Sequence, residues 1–138
     1  MSVLEIESPH FSDVVKWVGE PEVGIQNKSV TLVNTSSTAP VTFPVGTVVG
    51  KITASGKYTI SKSGAGDGSQ TPAGVLIANG AGVSTHVTLA ASGEELALIL
   101  ADGPAILSGA ALTLGTGTTL AAVKTAFADL KIVVEDTI

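Results

Sequence analysis

Val45-Gly46-Thr47-Val48-Val49-Gly50-Lys51-Ile52-Thr53-Ala54-Ser55-Gly56-Lys57-Tyr58, and further on Gly66-Asp67-Gly68-Ser69-Gln70-Thr71-Pro72-Ala73-Gly74-Val75, is the stretch on which the fold turns. Thr47–Thr53 is rich in β-branched residues and reads as a strand. Gly50 inside it marks a bulge or a close backbone contact. Ala54-Ser55-Gly56 is a turn, with Gly56 the natural site for a positive φ. Lys57–Ser61 returns as the partner strand. Ser63–Thr71 is a flexible, glycine-rich loop, Pro72 ends it, and Ala73–Ala78 is a buried apolar strand. The stretch holds no cluster of groups able to do chemistry.

The same alternation extends to either side. Ser29–Asn34 reads as a strand and Thr35–Pro44 as a Ser/Thr/Pro loop. Asn79-Gly80 suits a type I′ hairpin turn. Ser84–Ala90 alternates, with Val87 and Leu89 on one face, and Glu95–Ala101 is a further apolar strand between the turns Ser92-Gly93-Glu94 and Asp102-Gly103-Pro104. Short strands are expected at Ala105–Leu107 and Ala111–Leu114. One helix follows, capped by Thr118 or Thr119, with Leu120, Val123, Phe127 and Leu130 forming an apolar stripe. Lys124 and Asp129 are expected to face solvent, and Lys131 lies where the helix dipole favours a cation. Ile132-Val133-Val134 is a closing strand. The expected fold is β-rich α+β: a small mixed β domain, barrel- or sandwich-like, with one C-terminal helix and an extended N-terminal arm.

Composition narrows the function. With 138 residues the chain is long enough for one domain with a real core. It has no cysteine, so neither a disulfide framework nor a thiolate metal site is available. It has seven lysines, no arginine and a net charge of -5, which argues against direct nucleic-acid binding. No apolar run approaches the ~18 to 20 residues of a membrane-spanning helix, and no basic-then-apolar leader opens the chain. The mean hydropathy is +0.47 with only 14% charged residues. Either abundant Ala and Val inflate that index, or apolar surface is buried against other molecules.

The acidic charge is concentrated at the start. Residues 1–23 carry a net -4, from Glu5, Glu7, Asp13, Glu20 and Glu22 against Lys16, and the remainder is nearly neutral at -1. Residues 1–28 are interrupted by Pro9, Gly19, Pro21 and Gly24, yet carry many large apolar groups. That combination suggests an arm that orders on a partner. Leu4, Ile6, Phe11, Val15, Trp17 and Val18 are its candidate contact residues. The alternative is an arm packed on its own domain, with Trp17 as the anchor. Residues 29–138 form the β-rich domain.

Candidate catalytic groups are sparse. His10 and His86 lack metal-type spacing, and His86 reads as a surface or edge residue. The loop around Asp67 lacks the Gly-Lys-Ser/Thr ending of a P-loop and the carboxylate set of an EF-hand. Glu94 and Glu95 point to opposite faces of a strand. A hydrolase built on a Ser, His86 and Asp102 has no nucleophile-elbow motif behind it. A glycan-binding β-module of a phage tail or adhesin would need an aromatic platform, and the chain has five aromatic residues, widely scattered. No catalytic residue, cofactor or metal is expected.

From about residue 9 onward the chain resembles the head decoration proteins of tailed bacteriophages, the capsid-cementing family of phage lambda. The resemblance rests on Val45 to Ile52, on Ser55-Gly56-Lys57-Tyr58 and on Asp67-Gly68-Ser69-Gln70 leading into Ala73-Gly74-Val75-Leu76. Gly46, Gly50, Gly56, Lys57, Asp67, Gly68 and Gly74 are its signature positions here. The order of arm, Ser-Val-Thr-Leu strand, signature hairpin, glycine-rich loop and late helix also fits. The insertion Thr35–Pro40 and the tail Glu135–Ile138 depart from it. The resemblance implies a non-enzymatic virion protein, made in the host bacterial cytoplasm. It implies a homotrimer at threefold positions on the outer surface of the expanded head, bound to the major capsid protein and resisting DNA pressure. It implies no nucleic-acid or membrane partner.

Overall fold

A computed structural model describes residues 15–18, 26–79, 86–102 and 105–135. The strands are β1 (Val15–Val18), β2 (Gln26–Val33), β3 (Val41–Pro44), β4 (Val48–Lys51), β5 (Tyr58–Ile60), β6 (Gly74–Asn79), β7 (His86–Leu89), β8 (Glu94–Asp102), β9 (Ala105–Ser108) and β10 (Ile132–Glu135). The helix α1 (Leu120–Ala128) lies between β9 and β10. Five strands close a barrel in the order β2-β5-β4-β6-β8. A β3-β7 ribbon and a β1-β9-β10 sheet complete the fold.

The barrel is built around β8, which pairs antiparallel with β2 from Gln26↔Asp102 to Val33↔Glu94 and with β6 on its other side. The predicted hairpin is present: β4 and β5 pair antiparallel, and the Ile52 N–H donates to Lys57 O at 2.7 Å. The barrel closes by a parallel contact between β2 and β5, registered at the single pair Leu32↔Tyr58.

Two apolar cores result. The inner core fills the barrel beneath the β3-β7 ribbon with Leu32, Phe43, Val49, Tyr58, Leu76, Val87, Leu89, Ala97 and Ile99. The outer core packs Val48, Val75, Ile77 and Leu100 against Leu107, Val123, Phe127, Ile132 and Val134. Successive residues of a strand point to opposite faces, so Val48/Val49, Val75/Leu76 and Ile99/Leu100 each contribute to both cores. This explains the unbroken apolar runs of β4, β6 and β8: both faces of these strands are covered, as in sheets buried on two sides. Among the described residues, only Leu96 and Val133 are exposed large hydrophobic side chains.

Helix α1 follows its sequence signals. Thr119 Oγ1 accepts the Ala122 N–H at 3.2 Å, capping the first turn. Val123 and Phe127 are fully buried, Leu120 and Leu130 flank them, and Asp129 is exposed. Lys124 is half-buried rather than fully solvent-facing. Two expectations need correction. Val41–Pro44, read as the end of a loop, is β3 and pairs with β7. Its proline ends a two-stranded ribbon, where a missing N–H is tolerated. Ala111–Leu114, read as a strand, instead begins in a 3₁₀ turn (Gly109–Ala111) and keeps one isolated bridge, Thr113↔Thr47. The turn positions Gly80, Gly103 and Pro104 lie outside the described residues.

Candidate functional site

The signature residues converge on the barrel's closing seam and the loop beside it. Lys28 Nζ donates to the Tyr58 hydroxyl at 3.3 Å, from β2 across to β5, and lies 5.8 Å from the centre of the Tyr58 ring. Lys57 forms an ion pair with Glu94 at the start of β8, whose backbone partner on β2 is Val33. Lys57-Tyr58 thus reinforces by side chains the seam that a single backbone register pair closes.

The loop after β5 folds back onto the hairpin. The Thr53 N–H donates to Asp67 O at 2.9 Å. Asp67 Oδ1 accepts from the Ser69 N–H at 2.9 Å and from the Ser69 hydroxyl at 2.5 Å. The hydroxyl and then the N–H of Ser69 hold the Asp67 carboxyl below the usual carboxylate range. Gly50 and Gly68 permit this folding. A Cβ on Gly50 would overlap the Ser69 carbonyl group. Gly68 has φ +105, and a Cβ there would meet the Thr53 side chain and, at 2.9 Å, Lys51 O. The Asp67–Ser69 end of the loop is therefore tied to the hairpin.

The other signature glycines are also architectural. Gly46 and Gly56 take the positive φ of turns, and Gly74 lies against Leu100 O on β8. Asn34, buried at the end of β2, orders the Thr35–Pro40 insertion: its side chain donates to Ala39 O at 2.9 Å and accepts the Ser36 N–H at 2.9 Å. The Glu94 partner of Lys57, the Ser69 backbone under Gly50 and Lys28 beside Tyr58 were not identified from sequence. Each lies on a different element from its partner, so no local pattern signals it.

Of the contact candidates on the arm, Leu4, Ile6 and Phe11 lie outside the described residues. Val15, Trp17 and Val18 are in β1, in register with Leu107, Ile106 and Ala105 of β9. The boundary expected after residue 28 falls within β2.

The described residues include two concave sites. A polar pocket of about 210 Å³ is lined by Thr35, Thr59, Lys62, Asp67 and Ser69 among others. A larger groove of about 520 Å³ runs between the end of α1 and β10, lined by Lys124, Ala128, Lys131, Ile132, Val133 and Val134. Among the described residues no three His, Asp or Glu side chains gather into a metal-binding group. His86 is exposed on β7. Among them, too, no helix is long and apolar enough to cross a membrane.

Comparisons with curated proteins and with solved structures give no significant match. A family model, described as bacteriophage lambda head decoration protein D, matches residues 6–133. That span takes in the arm's apolar residues from Ile6 onward, the signature hairpin, the loop after it, α1 and the first half of β10, and the chain belongs to this family of phage head decoration proteins.

Proposed function

We propose that this protein is a structural component of the virion. It binds the outer surface of the expanded phage head as homotrimers at threefold positions and stabilises the head against the pressure of packaged DNA. Its partners are the major capsid protein and its own copies. The family match across residues 6–133 carries this reading. The signature residues support it in character, since each described one shapes a turn, a close packing contact or the barrel seam.

Residues ahead of β1 make the main capsid contact in this proposal, with Leu4, Ile6 and Phe11 as its apolar side chains. Three such arms on one trimer act at high effective concentration, so contacts that are weak singly hold the assembly. The acidic charge of the arm adds an ionic component that salt screens within ~10 Å at 0.1 M.

Co-sedimentation with expanded empty heads tests the proposal. Deleting residues 1–28 would remove β1 and the start of β2, so substitutions isolate the arm better. The unaltered chain should bind saturably and less tightly as salt rises. A Leu4→Asp/Ile6→Asp/Phe11→Asp variant should lose most occupancy while keeping its fold. Absence of binding by the unaltered chain would refute the capsid role; full occupancy by the variant would refute the arm's part in it.

A further inference from the structure

Between β2 and β5 the barrel opens into the polar pocket of about 210 Å³. The opening follows from the seam. After Leu32↔Tyr58, the next pair of a parallel ladder would be Asn34↔Ile60, with the Thr35 N–H donating to Ile60 O. Neither the pair nor that bond forms. Asn34 turns to β8 instead and donates its N–H to Gly93 O at 2.9 Å. The Ser61 N–H donates to Val48 O, so Ile60, one residue earlier, directs its carbonyl away from β4 and toward the opening. Thr35 and Ile60 both line the pocket.

The wall beside them carries another unused group. Tyr58 points into the inner core, so Thr59 points the other way, beside its register partner Gly50 and the Ser69 backbone that covers it. Thr59 is 5% exposed and lines the pocket, and its hydroxyl has no hydrogen-bond partner among the described residues. Buried hydroxyls as a rule have one. Lys62 and Asp67 bring opposite charges to the same pocket. Lys62 forms no ion pair with a described residue, and Asp67 holds Ser69 through Oδ1 alone. Ile60 and Ala65 add apolar surface.

These groups select a ligand by sign. A carboxylate would suit the Thr35 N–H and Lys62 but face Ile60 O and Asp67. An ammonium would suit the second pair and face the first. A carboxamide satisfies both, since its oxygen accepts and its nitrogen donates two hydrogens. The pocket is larger than the ~30 Å³ share of a single water, and no aromatic side chain lines it to stack a sugar ring. We infer that this pocket binds a primary carboxamide on a short aliphatic stem, as in glutamine or asparagine. The carboxamide oxygen accepts from Thr35 and Lys62, its nitrogen donates to Ile60 O and Asp67, and the stem lies against Ile60 and Ala65. Binding here is a property of the isolated protein and does not rest on the capsid role.

Titration of the full chain, followed through its backbone amide signals by NMR, tests the assignment. Nα-acetyl-glutamine methylamide should shift the signals of Thr35, Lys62, Ala65 and Ser69 saturably, in the millimolar range expected of so small a ligand. The corresponding glutamate and lysine derivatives and glucose should bind much more weakly. Thr59→Val should weaken glutamine-derivative binding about 3–10-fold. It should not lower the melting temperature, because the hydroxyl it removes has no partner in the fold. A capped Ala-Ala-Gln-Ala-Ala peptide and free glutamine distinguish the sources. Tighter binding of the peptide would assign the carboxamide to a protein partner, tighter binding of glutamine to a small metabolite, and either supports the pocket's chemistry. Equal binding of the glutamate derivative, unchanged binding by Thr59→Val, or no shift at these four amides would overturn it.

Discussion

The two cores differ in how they are assembled. The inner core is made from β2 to β8, elements that follow one another along the chain and close on themselves. The outer core joins three of those strands to β9, α1 and β10, which alone form an incomplete layer with one face to cover. The barrel's outer wall is thus the floor of the second core. The difference teaches that β4, β6 and β8 make the two halves one cooperative unit. Damage to either core should be felt by the whole domain.

The largest test of that comparison is a matched pair of truncations. Phe127→Ala in the outer core should cost about 3–5 kcal/mol and Leu32→Ala in the inner core about 2–5 kcal/mol, since both side chains are fully buried. Denaturant unfolding followed by far-UV circular dichroism and by Trp17 fluorescence should show one coincident transition for each variant. Separate transitions in the Phe127 variant, with the barrel outlasting the outer layer, would break the shared-wall account.

Gly50→Ala should be next in size. Its Cβ meets the Ser69 backbone, which is held by the Asp67 turn and cannot swing away as a side-chain tip could. Relief requires a backbone shift, and overpacking of this kind costs about 1–3 kcal/mol. Thermal unfolding would measure it, and an unchanged midpoint would show that the Asp67–Ser69 end of the loop is not tied to the hairpin.

Smaller still is the seam. A double-mutant cycle on Lys57→Ala and Glu94→Ala should give a coupling of about 0.2–1 kcal/mol that fades with salt, because the side chains are 37% and 43% exposed. A larger, salt-insensitive coupling would mean that the seam is a stronger joint than its exposure implies. The smallest effect concerns Asp67. Its folded-state pKa is lowered, so its contribution to stability is present above the ordinary carboxylate range and lost as pH falls through the lowered value. Ser69→Ala should reduce that acid dependence in pH-resolved melting curves.

Much of this architecture was readable because its signals are local. Val87 and Leu89 alternate with His86 and Thr88, Thr119 precedes an apolar stripe at helical spacing, and Ala54-Ser55-Gly56 is a turn by composition. What stayed hidden depends on distant partners. Val41–Pro44 is a strand because β7 pairs with it, although its own residues suggest a loop. Positive φ in the Ser92-Gly93 turn falls on Ser92, while Gly93 is needed where its backbone approaches Ala90 O. The signature residues were found, but not their partners: Glu94, Ser69 and Lys28 meet Lys57, Gly50 and Tyr58 only after the barrel closes. The β10 groove combines a helix end with a sheet edge and leaves no motif in either.

The central claim is that this domain decorates a phage head, and cryo-electron microscopy of expanded heads saturated with the protein tests it most directly. The account predicts three copies around each threefold position, the β domain outermost and the chain ahead of Val15 against the major capsid protein. A reconstruction without added density at those positions would contradict it.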